Sequence, residues 1–197
     1  NNELDDDDWM ALDQGVKALK EIKLLIDDTA GQKLTDIKTK TQKLKAQCPD
    51  LCCIFIDYLG LITTNNSRID NRQLEVSEIS RQLKALAREL EVPVICLAQL
   101  SRLVERRPDK RPMLSDLRES GAIEQDADLV IFIYRDEYYA QKKESDSNEE
   151  TNPVAEVLIA KHRNGPTGKV NLLFTKEFGT FSNYISNEAV SRYGGED

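Results

Sequence analysis

The amino-acid sequence predicts an α/β domain with a mainly parallel sheet flanked by helices, and three observations carry that prediction. Apolar runs mark the strands, and the one at 51–62 is continuous with a single acid, as suits strands covered on both faces. Amphipathic stretches with a repeat of three to four residues lie around them, the pattern of helices packed on a sheet. The order strand, helix, strand, loop, strand is that of βαβ units.

Taken in order, residues 7–20 read as a helix with Trp9, Leu12, Val16 and Leu19 on one stripe, and "KLLIDD" at 23–28 as a short strand. Thr35 to Gln47 is a second helix, with Ile37, Thr41 and Leu44 aligned, ending before Pro49. "LCCIFIDYLGLI" (51–62) is a strand, and "TTNNSRIDNR" (63–72) is a turn-rich loop. Arg72 to Leu90 carries the clearest helical pattern: Val76, Ile79, Leu83, Leu86 and Leu90 form the apolar face, with Glu75, Glu78, Arg81, Lys84 and Arg88 toward water. "VPVICLAQL" (92–100), a basic loop, a short helix near 113–121 and "LVIFIY" (129–134) follow. Residues 136–153 are polar and acidic without apolar period, which predicts a mobile insertion. "VAEVLIAKHR" and "KVNLLF" flank "NGPTG", where Asn164, Gly165 and Gly168 are expected to supply the positive φ angles of a hairpin at the sheet's edge. Residues 185–197 are expected to form a flexible tail.

Composition sets the limits. The 197 residues carry a net charge of −8 and 40% apolar side chains, enough for a core and for one domain. No apolar run approaches the roughly 20 residues of a membrane span. Residues 1–8 hold five acids and no base, with neither the basic nor the apolar region of a signal peptide. The chain begins with Asn1, and the expectation is a fragment of a longer cytoplasmic protein. Four cysteines are too few for a disulfide scaffold. Cys48 and Cys52 with Cys96 and His162 allow a zinc site on paper, but reduced thiols of a cytosolic protein are the better reading. From Ser101 to Arg118 six cations face three acids, so the local sign reverses to +3. Such a loop is either a solvated surface or a binder of phosphates.

Four features carry candidate chemistry. Asp57 ends the strand "CIFID", and ligands of open α/β sheets bind beyond the carboxyl ends of strands. An acid there either caps the next turn or holds the Mg²⁺ of a nucleotide. Gln99 follows "VICLA" and is either an ordinary strand-exit residue or an amide that touches a phosphate or the attacking water. In "SDLRESGAIEQDAD" (115–128), Ser115, Arg118 and Glu119 offer helix-start chemistry and Gly121 a C-cap; alternatively the loop and Arg118 touch the phosphates of a single strand. Lys161 and Arg163 lie two apart on one strand face, with His162 on the other; they are edge gatekeepers or cations that reach a neighbouring subunit's nucleotide. No G-x-x-x-x-G-K-[ST] phosphate loop is present, and "TGKV" at 167–170 lacks the hydroxyl residue.

Together "FIDYLGLI", "NRQLEVSEISRQLKALAREL", "VPVICLAQLSR", "DKRPMLSDLRESGAIEQDADLVIFIYRDE" and "IAKHRNGPTGKVNLLF" resemble the carboxyl-terminal half of the RecA-like motor domain of bacterial DnaB-type replicative helicases. The resemblance covers residues 3 to 184 and is most specific from 109 to 137. It implies a single, partial RecA-like domain from a hexameric helicase that hydrolyses ATP, moves on single-stranded DNA and unwinds duplex at the replication fork. It also implies a primase and a helicase loader as partners, and no catalytic activity for this fragment alone. By the same resemblance Asp57 is the acid that holds Mg²⁺ and Gln99 the phosphate sensor. Arg118, Glu119 and Gly121 lie on the DNA-lining loop, and Lys161 and Arg163 project into the next subunit's ATP site. Two positions depart from the family pattern: Gly60 and His162 stand where Gln is usual.

Two other classes fit parts of the pattern: a RecA-like ring ATPase that does not unwind duplex, and a non-catalytic interaction module. The stretch 109–137 weighs against the first. The missing phosphate loop favours the second for the isolated chain.

Overall fold

A computed structural model describes residues 5–64, 71–117, 121–140 and 153–184. The chain divides into two compact units, Asn1–Ala30 and Gly31–Asp197. In the first, helix α1 (Asp6–Glu21) opens on a capping box: Asp8 N–H donates to Asp5 Oδ1 at 2.8 Å and Asp5 N–H to Asp8 Oδ2 at 3.3 Å. Part of the acidic amino-terminal run is therefore the cap and first turn of a helix, where negative charge meets the positive end of the helix dipole. The expected strand at 23–28 does not form. A strand needs a pairing partner, and Leu24, Leu25 and Ile26 are all exposed without one.

The second unit begins with α2 (Leu34–Gln47), β1 (Ile54–Ile56), α3 (Arg72–Leu90) and β2 (Val94–Cys96). β1 and β2 pair in parallel, Ile54 with Val94, Phe55 with Ile95 and Ile56 with Cys96. The α3 stripe expected from the spacing is the core: Val76, Ile79, Leu83, Leu86 and Leu90 are buried with Leu34, Leu59, Ile62 and Val92, against Ile54, Ile56, Val94 and Cys96. Among the described residues only one face of the parallel pair is covered. Phe55 is 73% exposed and Ile95 46%, so the run at 51–62, which suits two-sided burial, is buried on one side here. Both strands are also shorter than their apolar runs; β1 gives way to a 3₁₀ turn at Leu59–Leu61. Three polar positions of α3 expected toward water, Glu75, Glu78 and Lys84, are partly buried. Glu75 is half-buried and accepts from Thr64 N–H at 3.0 Å and from Arg72 at 2.5 Å, tying the helix start to the preceding loop.

After β2 the chain forms 3₁₀ turns at Arg102–Arg106 and Leu114–Asp116, then α4 (Gly121–Asp126), β3 (Leu129–Arg135) and α5 (Asp136–Ala140). The antiparallel part is larger than a hairpin: β3, β4 (Val154–His162), β5 (Gly168–Thr175) and β6 (Thr180–Asn183) form one sheet in that order. β3 alternates, burying Val130, Phe132 and Tyr134 while Leu129, Ile131 and Ile133 stay exposed. Leu117, Val130 and Phe132 make a second cluster, and Ile123 of α4 packs against both clusters. α5 occupies the start of the expected insertion at 136–153; residues 141–152, like the tail at 185–197, lie outside the described residues.

The β4–β5 turn forms without positive φ at Asn164, Gly165 or Gly168, contrary to expectation. The space beside Gly165 is taken by the His162 ring. A Cβ there would stand 2.5 Å from His162 Nδ1, because the His162 ring lies against the turn, with Nδ1 3.3 Å from Pro166 O.

Leu86, 1% exposed, is among the largest fully buried side chains. Leu86→Ala is expected to cost about 2–5 kcal/mol, read from the shift of the urea unfolding midpoint at unchanged slope.

Candidate functional site

The parallel pairing fixes where Asp57 and Gln99 stand. Past the strands the ladder continues, with Leu97 N–H donating to Ile56 O and Leu59 N–H to Leu97 O, both at 2.9 Å. Asp57 therefore leaves β1 at the edge where Gln99 leaves β2. Phe55 and Asp57 are both exposed, as are Ile95, Leu97 and Gln99, so acid and amide continue the uncovered row of each strand. Asp57 makes no hydrogen bond or ion pair among the described residues, which leaves its carboxylate available to a ligand. Gly60 follows in the 3₁₀ turn under the Tyr58 ring: a Cβ at Gly60 would lie 2.5 Å from Tyr58 Cε2. Glycine at this position goes with a tyrosine ring that occupies the space of a larger side chain.

The basic loop is closed at its base by a bridge between Leu100 and Leu117 and by Ser101 N–H donating to Asp116 O at 2.8 Å. Its cations divide into two groups. Arg107 grips the buried Asp116 at 2.7 and 3.2 Å and also donates to Arg111 O. Arg111 forms a fork on Glu156 of β4 at 2.7 and 2.9 Å, with its guanidinium 5.0 Å from the Tyr134 ring centroid. These two cations hold the loop in shape. Arg102 and Arg106 are exposed and make no hydrogen bond or ion pair among the described residues. Arg118 and Glu119 lie outside the described residues. Gly121 opens α4 rather than capping the end of a helix.

Lys161 and Arg163 act on one place within the chain. Both donate to Gln125 O, at 3.2 and 3.1 Å, and Lys161 also donates to Glu124 O. Two cations thus hold carbonyls at the carboxyl end of α4. Asp128 is a participant that sequence reasoning misses: it pairs with Lys84 of α3 and, at 3.4 Å, with Arg163, whose N–H donates to Asp128 O at 2.8 Å. The link to Lys84 spans 44 residues, and no local pattern announces it.

All four cysteines are free, and burial pushes the Cys96 thiol up to about 11. Among the described residues no three His, Cys, Asp or Glu side chains gather as a metal site. Cys52 is exposed and the other three are partly buried.

An acid and an amide thus stand at adjacent parallel strand tips, on a pair laid against α3 and followed by an antiparallel sheet, and the class is an α/β domain. Residues 1–183 match the model of the DnaB-like helicase C-terminal domain. The chain is 52% identical to the replicative DNA helicase DnaC of Bacillus subtilis over 180 residues, covering 91% of this chain and 38% of that protein. It is 52% identical to the replicative DNA helicase DnaB of Geobacillus stearothermophilus over 177 residues, covering 90% and 37%. Among solved structures, an ATPase domain superposes with a TM-score of 0.83 at 46% identity, covering 93% of this chain and 62% of that one. A DnaB-like replicative helicase described with its interactions with primase also gives 0.83, at 47% identity, covering 93% and 42%. The chain belongs to the DnaB-like helicase C-terminal domain family. It spans less than two fifths of the length of the two helicases named first.

Among the described residues no helix is long and apolar enough to cross a membrane.

Hydrogen bonds from Arg111, with Lys169 adding to them, hold the Glu156 carboxyl down at about 2. Its folded value lies below the ordinary one, so its contribution is complete above the ordinary carboxylate range and is lost as pH falls toward about 2. Glu156→Gln is expected to lower stability at neutral pH and to flatten the stability profile across the acid range, checked by urea unfolding at stepped pH.

Proposed function

We propose that this chain is part of a replicative DNA helicase, a hexameric cytoplasmic ring that hydrolyses ATP, translocates on single-stranded DNA and unwinds duplex at the fork. The observation that carries the reading is the common edge and common exposed row of Asp57 and Gln99. Family membership and identity near one half to helicases named as replicative support it.

The residues present suit Mg²⁺ and ATP on one side of such a site. Asp57 offers a hard oxygen donor without a competing partner among the described residues, the chemistry Mg²⁺ selects. Mg²⁺ bound with ATP supplies charge neutralisation across the β- and γ-phosphates. In this reading Asp57 orients the ion, and Gln99 presents an amide to the terminal phosphate or its water. The chain contains no phosphate loop, so the remaining wall comes from other residues of the intact protein. Lys161 and Arg163 serve the nucleotide of the adjoining subunit. Arg118, Glu119 and Gly121 touch the single strand, with Arg102 and Arg106 adding phosphate attraction. Primase and a loader are the expected protein partners; a structural relative is described with its interactions with primase.

In the intact protein, Asp57→Ala is expected to abolish Mg²⁺-dependent ATP hydrolysis while rings persist by size-exclusion chromatography; wild-type turnover would remove Asp57 from this role. Arg163→Ala should lose hydrolysis in homogeneous rings and regain part of it when mixed with subunits defective only in the phosphate loop. Absence of recovery on mixing would count against action in trans.

A further inference from the structure

Beside Arg163 lies a cavity of about 250 Å³ between α3 and α4, lined by Arg81, Lys84 and Arg88 of α3, by Gln125 and Asp126 of α4, and by Arg163 itself. At roughly 30 Å³ per water it holds several waters or an anion.

The charge balance around it is uneven. Arg81, Lys84 and Arg88 fall on one stripe of α3, and Lys84 and Arg88 are four apart, a like-charge spacing that is unfavourable on an exposed helix. The acids nearby answer only part of this. Asp128 pairs with Lys84 and Arg163, and Glu78 approaches Arg81 only at 3.9 Å. The Arg88 side chain makes no hydrogen bond or ion pair among the described residues, and its charge acts on Asp128 only at longer range. Four cations thus face one cavity, against Asp126 in its wall and Asp128 beside it. Guanidinium forks match phosphate oxygens two at a time, which a point charge does not. None of the lining residues is aromatic, so the cavity offers charge without the stacking platform that a base or a single strand uses.

We propose that this cavity is a phosphate-binding site in which Arg81, Lys84 and Arg88 act beside Arg163, and that its ligand is the polyphosphate chain of a nucleoside triphosphate carried by an adjoining copy. The choice of nucleotide as the source rests on the trans role proposed for Arg163. The phosphate chemistry rests on the cavity alone. α3 thereby has two functional faces, an apolar one that builds the core and a cationic one that extends the reach of Arg163 toward the triphosphate.

The test uses this chain with inorganic tripolyphosphate at fixed ionic strength, followed by calorimetry, with sulfate as the control for simple screening. The expected result is one site per chain, weakened about tenfold or more by Arg88→Glu and by Arg81→Glu, with thermal unfolding of both variants unchanged. Failure of tripolyphosphate to bind, or equal binding by both variants, would overturn the proposal. An oligonucleotide of thymidine that displaces tripolyphosphate at lower concentration than ATP does would also overturn it, by assigning the site to a single strand. In mixed rings of the intact protein, Arg88→Glu should raise KM for ATP in subunits that neighbour it; an unchanged KM would overturn the assignment in trans. Loss of the helicase reading through active Asp57→Ala rings would leave tripolyphosphate binding standing, so the two failures are distinguishable.

Discussion

The parallel pairing of β1 and β2 over the apolar stripe of α3 is the constraint on which the rest depends. Three residue pairs set it, and α3 holds it from one side through Val76, Ile79, Leu83 and Leu86. Because the strands run the same way, their carboxyl ends share an edge. The exits of Asp57 and Gln99 follow from that direction with no further device. An antiparallel pair would have sent them to opposite ends of the sheet.

A second group of contacts shapes what lies beyond that edge. The basic loop is held by two ionic anchors, Arg107 on the buried Asp116 and the exposed Arg111 on Glu156. Charge is used here in two ways within a few residues, some of it paired to fix backbone and some left in water. A count of cations along the sequence does not separate these uses, because the partners sit on β4 or across the loop.

Legibility in the sequence follows the range of the interaction. α3 is legible to its end residues, and α1 and α2 to within a residue, because capping and a period of 3.6 are local. The strands are legible as apolar runs but not in length or pairing. "KLLIDD" has strand composition without a partner, β6 has a partner in β5 but a polar sequence, and β3 joins the antiparallel sheet through a register no local pattern encodes. Asp57 and Gln99 stand out because each ends an apolar strand. Asp128 and Lys84 do not, since a polar residue of α3 and an acid before β3 meet only after folding. Gly165 is legible as a turn residue, but its reason, the ring of His162, belongs to packing.

Helix α4 runs only from Gly121 to Asp126, about 9 Å at 1.5 Å per residue. Its last carbonyls are gripped by Lys161 and Arg163. Ile123 sits at its middle against both hydrophobic clusters and serves as a fulcrum. So short a rod carries a displacement of its first turn directly to the carbonyls that these two basic side chains hold.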